Sequence, residues 1–310
     1  MNHKYKNIPS IVLENEILRA EFLPNPGGKL ASLISKQTGY EFLVRRPSPT
    51  YREQPFAGVY VDGECSGFDD MFPTIDACLC ENAPWQGVEL ADHGEVWSLP
   101  WDVLSADAHS VTFAVHGIRF PYLLKKHIVL TENGFLRFDY TLTNLSPFDF
   151  EYLWAGHLMI NLEEGTRVRV PDDCREMVTI LSNSGLNFGD VHRWPYLQYA
   201  NGEMYRADIV RSKDVKGFEK YYFTKPLKEG WCILEYPNQQ TLKIAFTTET
   251  VPCLGILMNE EGWDGLYNII IEPCSVCYDR PDVAKKHGQC SVLRGKSTVT
   301  WGMEVGVSSE

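Results

Sequence analysis

The segment KKHIVLTENGFLRFDYTLTNLS, residues 125–146, contains the strongest indication of the fold. An apolar run at 128–130 precedes the turn residues Glu132, Asn133 and Gly134. After the turn, apolar and polar residues alternate from 136 to 143, which is typical of a strand with one face on a core and the other in solvent. Asn-Gly strongly favours a hairpin turn. The segment therefore predicts two antiparallel strands.

Similar short strand patterns recur along the chain, with turn residues such as Asn201-Gly202 and Arg294-Gly295 between them. We expect two strands in IVLENEILRAEFLP, residues 11–24, and further strands around 111–115, 151–162, 231–236, 241–247, 268–272 and 297–305. The best helix candidate is short, residues 281–287, opened by Asp279 or Asp282 and ended by Gly288.

These patterns predict an all-β protein, one large antiparallel β-sandwich with few short helices. No repeat or linker divides the chain, so we expect residues 1–310 to form a single domain. The segment 172–220 has a weak strand pattern and is expected to be a long loop. Loops of this length are often functional, and a surface excursion without a role is the equal alternative.

Composition excludes several classes of function. The 310 residues carry a net charge of −12 without a basic patch, which disfavours nucleic-acid binding. No apolar run approaches the ~20 residues that span a bilayer, and MNHKYKNIPS lacks the apolar core of a signal peptide. We therefore expect a cytoplasmic protein that does not enter membranes.

Nine cysteines are scattered along the chain. The pairs Cys78/Cys80 and Cys274/Cys277 together could form a four-thiolate zinc site, but their separation is far greater than in zinc motifs. Buried, reduced thiols are the favoured interpretation. We expect no metal and no cofactor.

The stretch LWAGHLMINL, residues 153–162, places a histidine in an apolar strand. Period-two alternation puts Trp154, Leu158 and Ile160 on the core face and His157 on the opposite face. The small residues Ala155 and Gly156 are expected to leave room for a ligand. His157 is either a structural residue or an acid–base group.

A glutamate ends another apolar strand, in NIIIEPC, residues 268–274. Glu272 shares a face with Asn268 and Ile270. Burial there would raise its pKa toward the range of a general base or acid. The alternative is a strand-end glutamate in solvent or in an ion pair.

Two further stretches mix acidic groups with aromatic or apolar residues. LADHGEVWSLPW, residues 90–101, holds His93 and Glu95 near two tryptophans, a mixture that suits a sugar, or else forms an ordinary turn. GFDDMFPT, residues 67–74, places Asp69 and Asp70 between apolar residues, where they either bind a ligand or cap a turn.

In order and spacing, these stretches resemble the galactose mutarotase (aldose 1-epimerase) superfamily. The similar motifs are PNPGGKLASL (24–33), GFDDMFPT, ADHGEVW (91–97), WAGHLMINL (154–162), IIIEPCSVCYDRPD (269–282) and LRGKSTVTW (293–301). They extend over residues 24–301, and each is short, so their specificity lies in the shared order. The family fold is a large antiparallel β-sandwich.

The resemblance implies interconversion of the α and β anomers of an aldose through ring opening. Glu272 would be the general base, His157 the general acid, and His93 would polarise the ring oxygen. The remaining expected sugar contacts are Asp69, Asp70, Glu95 and Asp190. Galactose enzymes carry an Asn-Arg pair where this chain has FDDMFPT, so contacts there must differ. The expected partner is a small sugar, and the expected state is a monomer or homodimer.

Three alternatives remain. A related branch acts on hexose 6-phosphates through arginines, and Arg45, Arg46 and Arg52 precede GFDDMFPT, but Asp69 and Asp70 disfavour a dianion. A sugar-binding sandwich without turnover would keep the same pocket. A sandwich related to lyases or hydrolases would accompany a second domain, which we do not expect here.

Overall fold

The computed structural model describes residues 3–199 and 201–309. In these residues the chain forms 25 strands, one short α-helix and two 3-10 turns. The first twelve strands are β1 (His3–Tyr5), β2 (Ile8–Glu14), β3 (Leu18–Leu23), β4 (Lys29–Ser35), β5 (Phe68–Met71), β6 (Cys78–Leu79), β7 (Glu89–Leu90), β8 (Asp102–Ala106), β9 (Ser110–His116), β10 (Tyr122–Leu130), β11 (Phe135–Asn144) and β12 (Phe150–Tyr152).

The others are β13 (Ala155–Asn161), β14 (Arg167–Arg169), β15 (Glu176–Ser182), β16 (Val191–Arg193), β17 (Tyr196–Gln198), β18 (Met204–Arg206), β19 (Gly217–Phe223), β20 (Trp231–Glu235), β21 (Gln240–Phe246), β22 (Cys253–Glu260), β23 (Tyr267–Cys274), β24 (Ser291–Leu293) and β25 (Thr298–Ser309). The 3-10 turns are Tyr60–Asp62 and Lys213–Val215, and the helix α1 is Pro281–Lys286.

Two large antiparallel sheets dominate the fold, as the sequence predicts. One has eleven strands in the order β1-β2-β3-β4-β5-β13-β23-β22-β19-β15-β16. The other has eight, in the order β14-β20-β21-β25-β11-β10-β9-β8. Three two-stranded ribbons, β12-β24, β17-β18 and β6-β7, complete the described strands.

The predicted hairpin at 125–146 is confirmed. Strands β10 and β11 pair antiparallel with Ile128 opposite Phe138 and Leu130 opposite Leu136. Gly134 has φ +80° in the turn, a conformation that glycine adopts readily. In β11, Leu136, Phe138 and Leu142 are buried, while Arg137 and Asp139 are exposed. The hairpin thus buries one face in the sandwich.

The other predicted strands and the predicted helix are also found, with one difference in each. The stretch 151–162 is broken at Leu153 and Trp154, so that β12 pairs with β24 and β13 enters the eleven-stranded sheet. Helix α1 is present, but Arg280 occupies its N-cap position without a side-chain capping bond. Neither Asp279 nor Asp282 is at the N-cap.

The prediction of a long loop at 172–220 is wrong. This segment contains β15 to β18 and the first residues of β19. Strand β15 pairs with both β16 and β19 near one edge of the eleven-stranded sheet. Its burial follows no period of two, since Met177, Val178 and Thr179 are all buried. An alternation search is therefore a poor detector of this strand.

Apolar residues cover both faces of the eleven-stranded sheet. The larger cluster fills the space between the two sheets and includes Leu158, Ile160 and Trp154. A smaller cluster on the opposite face includes Ala155 and Met159. The predicted assignment of faces in 153–162 is confirmed, and His157 lies on the face away from the sandwich interior.

In the described residues, no helix is both long enough and apolar enough to cross a bilayer.

Candidate active site

Strand register aligns a row of functional side chains across the outer face of the eleven-stranded sheet. Asp69 of β5 is opposite His157 of β13. Glu272 of β23 is opposite Gly255 of β22, which is opposite Tyr222 of β19. His157 Nε2 lies 3.7 Å from Glu272 Oε1, which joins the two halves. We call these five residues the acid–base row.

Two more rows lie on the same face, because every second residue of a strand points the same way. The middle row is mainly apolar and consists of Met159, Ile270, Leu257 and Lys220. The third, which we call the amide row, consists of Asn161, Asn268, Asn259 and Phe218.

A cavity of about 240 Å³ lies over these rows. This is slightly below the usual range of small-molecule pockets, about 300–1,000 Å³. Its lining includes all three predicted catalytic residues, His93, His157 and Glu272. The other lining residues are Tyr60, Val61, Cys65, Ile75, Asp76, Leu181, Phe218, Lys220, Leu257, Asn259, Trp263, Asn268, Ile270 and Asp279.

Glu272 belongs to a buried ionic cluster. Lys220 Nζ lies 3.0 Å from Glu272 Oε2 and 2.8 Å from Asp279 Oδ1. The Tyr222 hydroxyl is 2.6 Å from Asp279 Oδ1 and 3.1 Å from Glu272 Oε2. Burial raises the pKa of Glu272, while Lys220 acts in the opposite direction. Although burial acts to lower the pKa of Lys220, the carboxylates of Asp279 and Glu272 hold it above its ordinary value.

A glycine in β22 makes room for this cluster. A Cβ atom on Gly255 would lie 2.5 Å from Tyr222 Cε1 and 3.0 Å from Glu272 Oε2. Carbon atoms in contact normally stand about 3.5–4.0 Å apart. Only a residue without a side chain therefore lets Tyr222 and Glu272 meet above this strand.

His157 is held by a second buried chain of polar groups. Tyr60 Oη donates to Asp69 Oδ2 at 2.9 Å, and Lys29 Nζ lies 2.8 Å from the same oxygen. Because its proton is used, Tyr60 Oη can only accept from His157 Nδ1, which lies 3.5 Å away. This contact favours the tautomer with the proton on Nδ1, and it leaves Nε2 to exchange a proton beside Glu272.

The charge state of His157 follows from its surroundings. Burial lowers the pKa of His157 well below its ordinary value, and the nearby Lys220 ammonium acts in the same direction. The imidazole is therefore mostly neutral at pH 7. The pKa of Glu272 is raised and that of His157 is lowered, so the two pKa values shift in opposite directions.

His93 contacts both Tyr60 and His157. Its ring stacks on Tyr60 at a centroid distance of 4.4 Å and meets His157 edge to face at 5.6 Å. Its Nδ1 lies 2.9 Å from Asp92 Oδ1. Burial acts to raise the pKa of Asp92, but the contact with His93 outweighs this and lowers it. Asp92 therefore fixes the ring orientation and leaves Nε2 for a ligand.

Four predicted sugar contacts do not line the cavity. Asp69 lies beneath Tyr60 and is fully buried in its contact with Lys29. Asp70 points into the sandwich interior, where Lys126 Nζ (2.7 Å) and Trp154 Nε1 (3.1 Å) bind it. Consecutive strand residues face opposite ways, so Asp69 and Asp70 never serve one site. The predicted contact by Asp70 is corrected to a structural role.

Glu95 and Asp190 also have local roles. Glu95 is buried and accepts from the backbone N–H groups of Ile118 and Arg119 and from the Tyr122 hydroxyl at 2.7 Å. Asp190 accepts from the N–H of Asn187 at 2.8 Å and caps a turn. Neither side chain is placed to contact a sugar in this cavity, which corrects both predictions.

The predicted role of Ala155 and Gly156 is also wrong. A Cβ atom on Gly156 would meet Phe68 and Trp154 at 3.4 Å, inside the sandwich. Ala155 packs in the smaller apolar cluster and does not line the cavity. The glycine that makes room at the site is Gly255, whose missing side chain leaves space for Tyr222 and Glu272.

Lys220, Tyr222 and Asp279 are site residues that the sequence reasoning missed. The run GFEKYYF places Lys220 and Tyr222 on one face, and this alternation was a usable signal. The prediction of a loop at 172–220 overlaps the start of this run and therefore conflicts with the strand. Asp279 was interpreted only as a helix start.

No group of three metal-binding side chains occurs in the described parts of the chain, and all nine cysteines are free thiols.

No family model and no curated protein sequence matches the chain. Several solved structures, however, are similar to this chain. A galactose mutarotase related enzyme from Lactobacillus acidophilus has 15% identity and a TM-score of 0.69, with 97% of each chain covered. A proposed aldose 1-epimerase from Escherichia coli K12 has 16% identity and a TM-score of 0.70, with 97% of this chain and 99% of that chain covered. A galactose mutarotase-like protein from Clostridium acetobutylicum has 12% identity and a TM-score of 0.68, with 100% of this chain and 98% of that chain covered.

At these identities the likeness concerns the fold. The chain has the galactose mutarotase-like sandwich fold, as the sequence resemblance implies.

Proposed function

We propose that the protein is an aldose 1-epimerase that interconverts the α and β anomers of a neutral free sugar. The observation that supports this best is the meeting of Glu272 and His157, 3.7 Å apart on adjacent strands, at one cavity with His93. General acid–base catalysis needs two such groups within reach of one substrate. Both stand on strands of a large sheet, which holds them rigidly.

In the proposed reaction, Glu272 takes the proton of the anomeric hydroxyl. The bond between C1 and the ring oxygen breaks, its electron pair goes to the ring oxygen, and His157, which enters this step as the doubly protonated imidazolium, delivers its Nε2 proton there. Rotation about C1–C2 in the open-chain aldehyde then exposes the other face of the carbonyl. Reclosure reverses both proton transfers and yields the other anomer. His93 positions or polarises the ring oxygen.

This cycle needs one exchangeable proton shared between Glu272 and His157. Burial raises the pKa of Glu272 and lowers that of His157, so that moving the proton from His157 to Glu272, the net transfer in ring opening, costs less free energy than in water.

The charges around the cavity favour a neutral sugar over a sugar phosphate. Of the described residues that line the cavity, only Lys220 is a lysine or arginine, and it already contacts Glu272 and Asp279. Arg46 pairs with Asp264 at 2.7 Å and is not a lining residue. A phosphate dianion would therefore meet carboxylates without a free cation.

The test is mutarotation of a panel of free aldoses, followed by NMR exchange between anomeric signals. Glu272→Gln keeps the size of the side chain and removes the base, and we expect a loss of about 10²–10⁴-fold. Glu249→Gln, at an exposed position, is the matched control and should retain the full rate. If no aldose reacts faster than in buffer while calorimetry detects sugar binding, the protein is a binding sandwich and the epimerase proposal fails.

A further inference from the structure

The amide row contains a hydrogen-bond network whose direction is fixed by a backbone group. The backbone N–H of Trp263 donates to Asn259 Oδ1 at 3.0 Å, which identifies the oxygen of that side chain. Asn259 Nδ2 therefore donates, to Trp263 O at 3.0 Å and to Asn268 Oδ1 at 3.1 Å. The Asn268 amide is oriented by this contact, with its oxygen occupied.

Asn268 Nδ2 is consequently left without an acceptor in the described residues. The side chain is 1% exposed and lines the cavity. Buried donors in native proteins nearly always have a partner, and an exception needs an explanation. A ligand oxygen in the cavity would supply the missing acceptor.

The position of Asn268 sets the length of that ligand. It lies four residues before Glu272 on the same face of β23, about 13 Å along the strand at ~3.4 Å per residue. Side chains stand roughly perpendicular to a sheet, so the two functional groups remain about that far apart. This distance exceeds one pyranose ring with its hydroxyls and fits two linked rings.

The surface between and beyond the two groups suits sugar rings. Ile270 and Leu257 form an apolar floor between Glu272 and Asn268, where the C–H face of a ring can pack. Beyond Asn268, the ring centroids of Trp263 and Phe218 lie 6.2 Å apart, and both side chains are partly exposed. An aromatic wall beside an amide donor is a typical sugar-binding combination.

We propose that Asn268 and Trp263 form a second subsite, which binds the non-reducing ring of a reducing disaccharide while C1 of the reducing ring lies at Glu272 and His157. This inference rests on the proposed epimerase function. It makes a disaccharide with a free anomeric centre a better substrate than either of its monosaccharides.

The experiment compares anomer exchange by NMR for glucose and galactose with that for maltose, cellobiose, lactose and melibiose. We expect a higher kcat/KM for at least one disaccharide than for either monosaccharide. Asn268→Ala should lower this disaccharide-to-monosaccharide ratio about two- to tenfold, the loss of one neutral hydrogen bond. Asn268→Gln, which retains the amide donors, should recover part of it, and Asn238→Ala at an exposed turn is the control.

If Asn268→Ala does not fold, Trp263→Ala tests the same subsite through the same ratio. Equal or lower kcat/KM for all four disaccharides, or an unaltered ratio in the variants, would overturn the subsite. If no aldose is turned over, the epimerase proposal has failed separately. The subsite is then tested by titration calorimetry, where tighter disaccharide binding that is weakened in Asn268→Ala supports it and equal binding refutes it.

Discussion

Replacing Lys220 by methionine removes the single cation from the buried cluster while it keeps most of the side-chain length. Nζ lies 3.0 Å from Glu272 and 2.8 Å from Asp279, and the side chains of all three residues are at most 9% exposed. The variant therefore leaves two buried carboxylates that face each other without compensation. We expect Lys220→Met to lower both stability and activity.

The magnitude follows from the two distances. At an effective dielectric constant of about 20, a unit charge pair at 3 Å attracts with ~5–6 kcal/mol. Much of this attraction is offset by the cost of removing the ammonium group from water. Breaking a buried pair in other proteins costs about 3–5 kcal/mol. We therefore expect Lys220→Met to lower the free energy of unfolding at pH 7 by about this amount. Because the free energy of unfolding of a native protein is typically about 5–15 kcal/mol, we expect the variant to fold but to be much less stable than the wild type.

The loss should depend on pH with a definite sign. Without Lys220, the pKa of Glu272 in the folded state rises further above its value in the unfolded chain. Such groups destabilise the fold when ionised, and the penalty disappears as they are protonated at lower pH. The destabilisation is therefore expected to be clearly smaller at pH 5 than at pH 7.

Urea unfolding of wild type, Lys220→Met, Asp279→Asn and the double variant, at both pH values, measures these quantities. The double variant removes one charge of each sign and should be more stable than Lys220→Met at pH 7. A loss below about 1 kcal/mol, the level of an exposed ion pair, would refute the reasoning. So would an equal loss at pH 5 and pH 7.

Two further predictions concern the acid–base row. Since the reaction needs one proton between Glu272 and His157, kcat/KM should fall about tenfold per pH unit at high pH, where both groups have lost that proton; a rate that still increases from pH 7 to pH 8 would contradict the shared proton. Gly255→Ala should displace Tyr222, lower stability by about 1–3 kcal/mol and reduce kcat. Gly302→Ala, whose Cβ would meet no atom closer than 3.7 Å, is the control, and similar effects in both variants would remove the argument for Gly255.

The strand-by-strand architecture was largely predictable because the backbone of a strand alternates its side chains locally. A few neighbouring residues are enough to assign the correct faces to His157, to Glu272 and to the hairpin at 125–146. The same rule failed at β15, where consecutive residues are buried and no alternation is visible. The same alternation separates Asp69 and Asp70 onto opposite faces of β5.

The type of each strand and the side to which each residue points can thus be inferred from the sequence alone, since both depend on contacts within a few residues. The neighbours of each strand, and the register of each pair, emerge only from the folded chain. Lys220 meets Glu272 from 52 positions away, and His157 meets it from more than a hundred. The ionic cluster, the clearance at Gly255 and the unpaired amide of Asn268 all depend on that register, because a shift by one residue in any strand would turn its side chains to the other face.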